Sequence, residues 1–221
     1  MRGPDRKTKE PSNRKNKTMR PAPSFLIGLV CLVSASVFAQ APLPAQRIRG
    51  DIVAINGLDL QVKSRTGEML AIKLADNYTV TAVVKTDLDA VKPGSFVGAA
   101  SMPQPDGTQK ALEVLLFPEA MRGAGEGHYP WDLKPGSMMT NATVTDAVVE
   151  GVAGRRMTLK YKDGEKTLIV PPDAPIVTFE PGDRTMAVPG AHLLVTAAKQ
   201  PDGTFTAGRL AIGKAGLVPP M

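Results

Sequence analysis

Two identical pentapeptides, Gln104-Pro105-Asp106-Gly107-Thr108 and Gln200-Pro201-Asp202-Gly203-Thr204, decide how this chain is organised. They lie 96 residues apart, and so do the Pro93-Gly94 and Pro189-Gly190 pairs that precede them. Five identical residues that keep their phase with the surrounding motifs are difficult to obtain by chance. We therefore infer that the chain contains one module used twice.

Upstream of these motifs the two copies continue to match, now at an offset of 97 residues. Leu60-Gln61-Val62 corresponds to Met157-Thr158-Leu159, and Gly67-Glu68 corresponds to Gly164-Glu165. Because the apolar positions of the two segments coincide, the duplication extends over most of the chain.

Within each copy, apolar and polar residues alternate with the period of a β-strand. Residues 51–55 and 58–62 flank Asn56-Gly57, a dipeptide typical of a two-residue hairpin turn. Pro105-Asp106-Gly107 predicts a second turn, since proline presets φ and glycine accepts a positive φ. Short strands spaced about 8–12 residues apart predict a small β-barrel or sandwich for each copy.

Residues 1–39 are predicted to be a secretory signal peptide. Residues 1–20 are polar and basic, and an apolar run of 14 residues follows at 25–38. A membrane-spanning helix needs about 20 apolar residues, whereas a signal-peptide core needs about 7–15. Small residues favour cleavage between Ala39 and Gln40. An uncleaved N-terminal anchor is the alternative.

A start at Met19 would give a signal peptide of ordinary length, so that residues 1–18 would be an upstream extension from a misassigned start codon. The single cysteine, Cys31, lies in the apolar run, and Val30 before it argues against lipidation. Cleavage removes this thiol. We therefore expect a disulfide-free protein in the periplasm or secreted, held together by its core alone.

The formal net charge of +6 belongs to the predicted signal peptide. Residues 1–39 hold eight of the 27 Lys and Arg residues and two of the 21 Asp and Glu residues, so 19 of each sign remain. A neutral chain with one Trp argues against nucleic acid as a partner, because nucleic acid requires a basic surface. We expect an unknown protein or small ligand of the cell envelope as the partner, and no membrane span after signal cleavage.

The predicted boundaries are a signal peptide at 1–39, a linker at 40–47, a first β module at 48–118, a connector at 119–142 and a second β module at 143–217. The connector has little periodicity, is rich in glycine and holds the only tryptophan. Since exposed aromatic side chains favour association, we expect it to pack onto one or both modules.

The sequence resembles a family of exported bacterial proteins that carry small OB-like β-barrel domains of unknown function, often in tandem. The resemblance rests on Ile-Arg-Gly-Asp-Ile-Val-Ala-Ile-Asn-Gly at 48–57, on Val-Lys-Pro-Gly at 91–94 and on the two Gln-Pro-Asp-Gly-Thr turns. It covers most of residues 48–214 and implies an exported location but no activity. Some relatives are labelled as metal-transporter permease components, although no apolar segment here is long enough to span a membrane after the signal peptide.

Pattern and resemblance together predict an all-β fold class. The expected architecture is two tandem small OB-like β-barrel or sandwich modules, joined by an irregular connector rich in glycine and aromatic residues and preceded by a signal peptide.

The connector supplies the candidate binding residues. His128, Tyr129, Trp131 and Asp132 combine aromatic surface with polar groups, and we predict that they contact a ligand or partner. The favoured function is an exported, non-enzymatic binding or interaction protein, with the groove between the copies as a further part of its contact surface.

A periplasmic metal-binding carrier for copper or zinc is the alternative function. Its predicted ligands are Glu126, His128, Met138 and Met139, because imidazole with carboxylate suits zinc whereas imidazole with thioether suits Cu(I). Trp131 could cap a soft cation with its ring. The competing interpretation is that the aromatic residues fill the gap between the modules and the methionines belong to the core.

Other polar residues have structural interpretations. Asp106 and Asp202 occupy turns that favour aspartate for backbone reasons. His192 aligns with Phe96 of the first copy, so we expect it to pack rather than to react. The sequence contains no nucleophile elbow, phosphate loop or His-Glu-x-x-His motif, and an enzyme is the least favoured function.

Overall fold

The computed structural model describes residues 45–149 and 154–221. The predicted signal peptide and its cleavage site between Ala39 and Gln40 lie outside the described residues. Of the predicted linker, the last three residues belong to the first strand. No helix in the described part of the chain is both long and apolar enough to cross a membrane.

The described residues form twelve β-strands, and the all-β fold class is confirmed. The strands are β1 (Ala45–Asn56), β2 (Asp59–Ser64), β3 (Met69–Lys85), β4 (Phe96–Pro103), β5 (Gln109–Leu116), β6 (Gly127–Pro130), β7 (Met138–Val149), β8 (Arg155–Tyr161), β9 (Gly164–Val170), β10 (Ile176–Pro181), β11 (His192–Lys199) and β12 (Phe205–Gly213). Single turns of 3₁₀ helix lie at Leu88–Ala90, Glu119–Met121, Arg184–Met186 and Lys214–Gly216.

The turns form as their chemistry predicts. Gly57 has a φ of +61° between β1 and β2, which confirms the hairpin. Asp106 Oδ1 accepts hydrogen bonds from the backbone N–H and the hydroxyl of Thr108. Asp202 does the same with Thr204. Both repeated carboxylates are therefore structural elements of their turns.

Five strands close into a barrel, named barrel one. β1 pairs with β2, β2 pairs with β3, β11 pairs with β12 and β1 pairs with β11, all antiparallel. A parallel pairing of β3 with β12 completes the closure. Its core is aliphatic, with Tyr78 and Phe205 as the aromatic members. Alternation places this core, because every second residue of β2 is buried.

Barrel two repeats the same arrangement with the other strands. β7 pairs with β8, β8 with β9, β4 with β5 and β4 with β7, again antiparallel. A parallel contact between β5 and β9 closes it. Its core combines Met157, Leu159 and Leu168 with smaller residues of β4 and β5.

The barrels do not coincide with the sequence copies. Barrel one takes its first three strands from the first copy and its last two from the second copy, and barrel two does the reverse. The predicted modules at 48–118 and 143–217 therefore exchange two strands each, instead of each closing a barrel. The physical reason is that a strand pairs equally well with either copy of its partner, so the local pairing preferences do not distinguish the two arrangements.

β10 joins the two barrels. It pairs antiparallel with the end of β3 and parallel with β5. Ala82 lies opposite Glu180 and Val83 opposite Phe179. Since residues 82 and 83 correspond to 179 and 180 in the repeat, the copies meet across a local twofold axis.

A separate apolar cluster fills the space between the barrels. Val83, Leu115, Val177 and Met221 are buried there, with Phe117, Phe179, Leu194, Ala211 and Leu217 packed against them. Because these side chains come from strands of both barrels, the barrels share one interface.

Candidate functional site

The connector is ordered and packs onto both barrels, as expected. Its strand β6 pairs antiparallel with Met138–Asn141, the first part of β7, and so extends the sheet of barrel two. A turn follows. In it the backbone N–H of Trp131 donates to the Ser137 carbonyl at 2.8 Å, and the Ser137 hydroxyl donates to the Lys134 carbonyl at 2.7 Å. These bonds fix the position of Trp131 and Asp132.

Trp131 and Asp132 anchor the connector on β1 of barrel one. Asp132 Oδ1 accepts hydrogen bonds from Arg47 Nε at 3.0 Å and from Arg49 Nη2 at 2.8 Å. The Arg47 guanidinium lies 3.9 Å from the centre of the Trp131 ring, a cation–π contact. Burial alone would raise the pKa of Asp132, but the bonds from the two guanidiniums outweigh it and lower this pKa.

His128 and Tyr129 point to opposite faces of the sheet, because neighbouring residues of a strand alternate. His128 Nδ1 lies 2.8 Å from the Thr140 hydroxyl, and its ring stacks on Tyr161. Burial and the charge of Lys166 lower the pKa of His128. The Tyr129 hydroxyl accepts a hydrogen bond from Asn141, and burial raises the pKa of Tyr129. The Tyr129 ring meets the Trp131 ring edge-on, with 6.1 Å between the ring centres. Of the four predicted binding residues, Tyr129 and Trp131 are thus in contact, Asp132 follows Trp131 in the chain, and His128 points to the other face.

The predicted metal ligands are less well gathered. Met138 pairs with Pro130 and Met139 pairs with Tyr129, so only Met138 shares the face of His128. Glu126 is exposed in the turn before β6. Within residues 45–149 and 154–221, no three His, Cys, Asp or Glu side chains form a group that could hold a metal ion.

On one face of the sheet that contains β4 and β7, buried polar side chains point towards the space between the barrels. Glu113, Ala100, Met139 and Tyr129 lie in one row across four strands and share this face. Asn141 lies in the next row, opposite Gly98. Gly98 is required there, because a Cβ atom would come within 2.7 Å of Asn141 Oδ1. No partner within the described residues satisfies Asn141 Oδ1 or Trp131 Nε1, although both atoms are buried.

Glu113 is the most unusual residue of this face. Its side chain is 0% exposed, and neither carboxyl oxygen has a hydrogen-bond partner among the described residues. Burial raises the pKa of Glu113 to about 8, against the opposing effect of the nearby Arg49 and Arg65. A buried carboxyl group without partners stays protonated at neutral pH, because ionising it would place a bare charge in an apolar interior.

Neither Arg49 nor Arg65 donates a hydrogen bond to Glu113. Arg49 Nε donates to the main-chain oxygen of Met221, and Arg65 Nη2 donates to the Pro219 carbonyl at 2.7 Å. Burial lowers the pKa of Arg65. Both arginines, with Arg47, also line an open cleft of about 320 Å³, named the arginine cleft, which Asp132 borders.

A second polar pair lies beside this cleft. His192 Nδ1 is 2.5 Å from Asp51 Oδ1, and the two residues face each other across β1 and β11. His192 is half-buried and paired with Asp51, so it packs less closely than the buried Phe96 with which it aligns. Ser64 lines the same small pocket, but it pairs with Gly50 and so points to the other face of the sheet. Among the described residues that line this pocket, no serine faces the pair.

Sequence reasoning missed Glu113 and the three arginines. Glu113 interrupts the apolar run of Ala111-Leu-Glu-Val-Leu-Leu116, where a core strand has no ordinary place for a carboxylate. That conflict was the available signal. The arginines gave none, because alternating Arg47 and Arg49 resembles the solvent face of an ordinary strand.

Comparison of the chain with protein-family models, with curated proteins and with solved structures finds no match. The expected resemblance to exported OB-like proteins therefore stays a prediction, and the site stands on its geometry.

Proposed function

We propose that this chain is an exported, non-enzymatic binding protein of the cell envelope, and that its contact surface is the arginine cleft with Trp131 and Asp132. The observation that carries the proposal is the cleft itself. Arg47, Arg49 and Arg65 line one open cleft, and the connector residue Asp132 holds the first two in place. Fixed guanidinium donors suit a partner that presents carboxylates or backbone carbonyls.

The shape of the barrels supports this proposal. We infer that each barrel is OB-like, since five strands close with a parallel contact between the third and the fifth strand of the barrel. Small barrels of this kind use their exposed sheet surfaces and loops for binding. The mature chain carries no net charge, which favours a protein or small ligand over nucleic acid.

Capture from envelope extracts tests the proposed surface. Wild-type protein, Trp131→Ala, Arg47→Glu and the matched control Asp163→Ala would be immobilised at equal amounts. We expect a partner that is retained by wild type and by the control, whose substitution lies on an exposed turn. The Trp131 and Arg47 variants should lose it. Retention by all four proteins would contradict the proposed surface.

Location has its own test. N-terminal sequencing of the protein recovered from the cell envelope is expected to begin at Gln40. Recovery from the cytoplasm with an intact N-terminus would contradict export.

A further inference from the structure

The segment that follows β12 is held by side chains rather than by strand pairing. After the turn at Lys214–Gly216, residues 217–221 run across barrel one without belonging to any strand. Arg65 and Arg49 donate to the main-chain oxygens of Pro219 and Met221. Two guanidiniums thus bind main-chain oxygens at alternate residues of the segment. An extended peptide can be bound in the same way.

Met221 fills an apolar pocket between the barrels. Met221 is 4% exposed and packs with Val83, Leu115 and Val177. These three residues come from β3, β5 and β10, so the pocket belongs to both barrels. An unbranched methionine side chain suits an irregular gap of this kind.

Glu113 precedes Leu115 by two residues, so the two side chains lie on the same side of β5. Its carboxyl group therefore points towards the pocket that receives Met221, and its two nearest cations are Arg49 and Arg65. The arginines bind the segment instead of the carboxyl group.

We propose that Arg49, Arg65 and the apolar pocket that receives Met221, which adjoin the arginine cleft, form a binding site for an extended peptide with an apolar side chain after two prolines. Pro219–Met221 occupies this site within the chain. The inference rests on the proposed binding function and names its class of partner. Prolines favour the extended conformation and reduce the ordering cost of binding. Two main-chain oxygen acceptors and one apolar side chain are the features that this site recognises.

The test uses the chain without residues 219–221 and a synthetic peptide with the sequence of residues 216–221. Binding is followed by Trp131 fluorescence, since the Trp131 ring lies 5.9 Å from the Arg49 guanidinium, and by calorimetry. We expect the deletion variant to bind the peptide at least tenfold more tightly than the full chain, because a tethered segment competes at a millimolar effective concentration. A peptide with aspartate in place of Met221 should not bind.

Two further variants separate specific binding from general exposure of the core. The full chain with Met221→Asp should gain peptide binding, because its own segment no longer fits the pocket. Adding Arg65→Gln to the deletion variant should weaken binding about tenfold through loss of one charged hydrogen bond.

Three outcomes would overturn the proposal: a folded deletion variant that binds no peptide at millimolar concentration, equal binding of both peptides, or a deletion variant that cannot fold. The last would make the segment a part of the fold. Peptide binding without any envelope partner would contradict only the proposed function, whereas a Trp131-dependent partner without peptide binding would contradict only this inference.

Discussion

The two barrels are built from one repeated module, yet they differ in what they bury. The core of barrel one is apolar throughout. Buried polar side chains of the described residues lie instead in β4, β5, β7 and the connector: Ser101, Gln109, Glu113, Ser137, Thr140 and Asn141. Polar burial is therefore concentrated in barrel two and on the face that it turns towards its neighbour.

The repeat shows which substitutions separate the barrels. Ser101 and Gln109 correspond to Ala197 and Phe205, both buried in the core of barrel one. Glu113 corresponds to Arg209, which is exposed. The first copy thus buries polar side chains at three positions, where the second copy has two buried apolar side chains and one exposed charged side chain. Departures of this kind tend to mark functional surfaces, and one of them, Glu113, lies near Arg49 and Arg65.

The largest expected effect comes from giving barrel one the polar residue of barrel two. Phe205→Gln should lower the free energy of unfolding by about 3–5 kcal/mol, because it removes a buried ring and leaves an amide without partners. Arg209→Gln, on the same strand but exposed, is the control and should change stability by less than about 0.5 kcal/mol. Urea denaturation measures both. Equal losses would contradict the assignment of Phe205 to the core.

Glu113 should make stability depend on pH. Its pKa is about 8 in the folded chain against 4.5 as the ordinary value, so folding binds a proton between these limits. Stability is then complete below pH 4.5 and falls as pH rises, by about 1.4 kcal/mol per unit until pH 8. The lowered pKa of His128 affects the free energy of unfolding only below about pH 6.5, the ordinary value for histidine.

Urea denaturation at pH 6.5, 7.25 and 8 measures this loss. The Glu113→Gln variant has no ionisable group at position 113, so its free energy of unfolding should stay constant over the same pH range. Parallel pH profiles for wild type and Glu113→Gln would show that Glu113 is not the group that titrates.

The buried pair in barrel two permits a double-mutant cycle. The Ser101 hydroxyl donates to Gln109 Oε1 at 3.1 Å. Ser101→Ala should cost about 1–3 kcal/mol, because it leaves the amide oxygen unpaired. Adding Gln109→Leu should recover most of the loss, since an apolar pair needs no hydrogen bond. Additive losses in the double variant would contradict a coupled pair.

The connector anchor should contribute least to stability. Asp132 is partly exposed and contacts Arg47 and Arg49, so Asp132→Asn should cost no more than about 1 kcal/mol. The loss should shrink in 0.5 M salt, where exposed charges are screened. Thermal unfolding at low and high salt tests this, and a loss that salt leaves unchanged would mean that the anchor acts by packing alone.

Much of the fold could be predicted because its signals are local. The Asn56-Gly57 hairpin, the paired Asp106 and Asp202 turns and the strand alternation each depend on a few neighbouring residues. The duplication could also be read directly. Strand exchange could not, because every local signal is the same whether a copy pairs with itself or with its duplicate.

The site was only partly predictable for a related reason. Trp131 and Asp132 attract notice as polar and aromatic residues in a connector, and they do lie at the cleft. Arg49 and Arg65 form hydrogen bonds with residues more than 80 positions away along the chain. Such pairings follow from the exchange of strands, so they stay hidden until the topology is known.

Strand exchange is the central claim, and engineered cysteine pairs test it most directly. In the chain from Gln40 onwards no other cysteine is present. Ala45 faces Ala198 across β1 and β11, whereas a copy closed on itself would place Ala45 opposite Met102, the counterpart of Ala198. Cross-strand neighbours lie within the distance that a disulfide can bridge.

Mass spectrometry of dilute, oxidised protein distinguishes the two arrangements. Strand exchange predicts an intrachain disulfide in the variant with Ala45→Cys and Ala198→Cys, and none in the variant with Ala45→Cys and Met102→Cys. A disulfide in the second variant but not in the first would contradict the exchange.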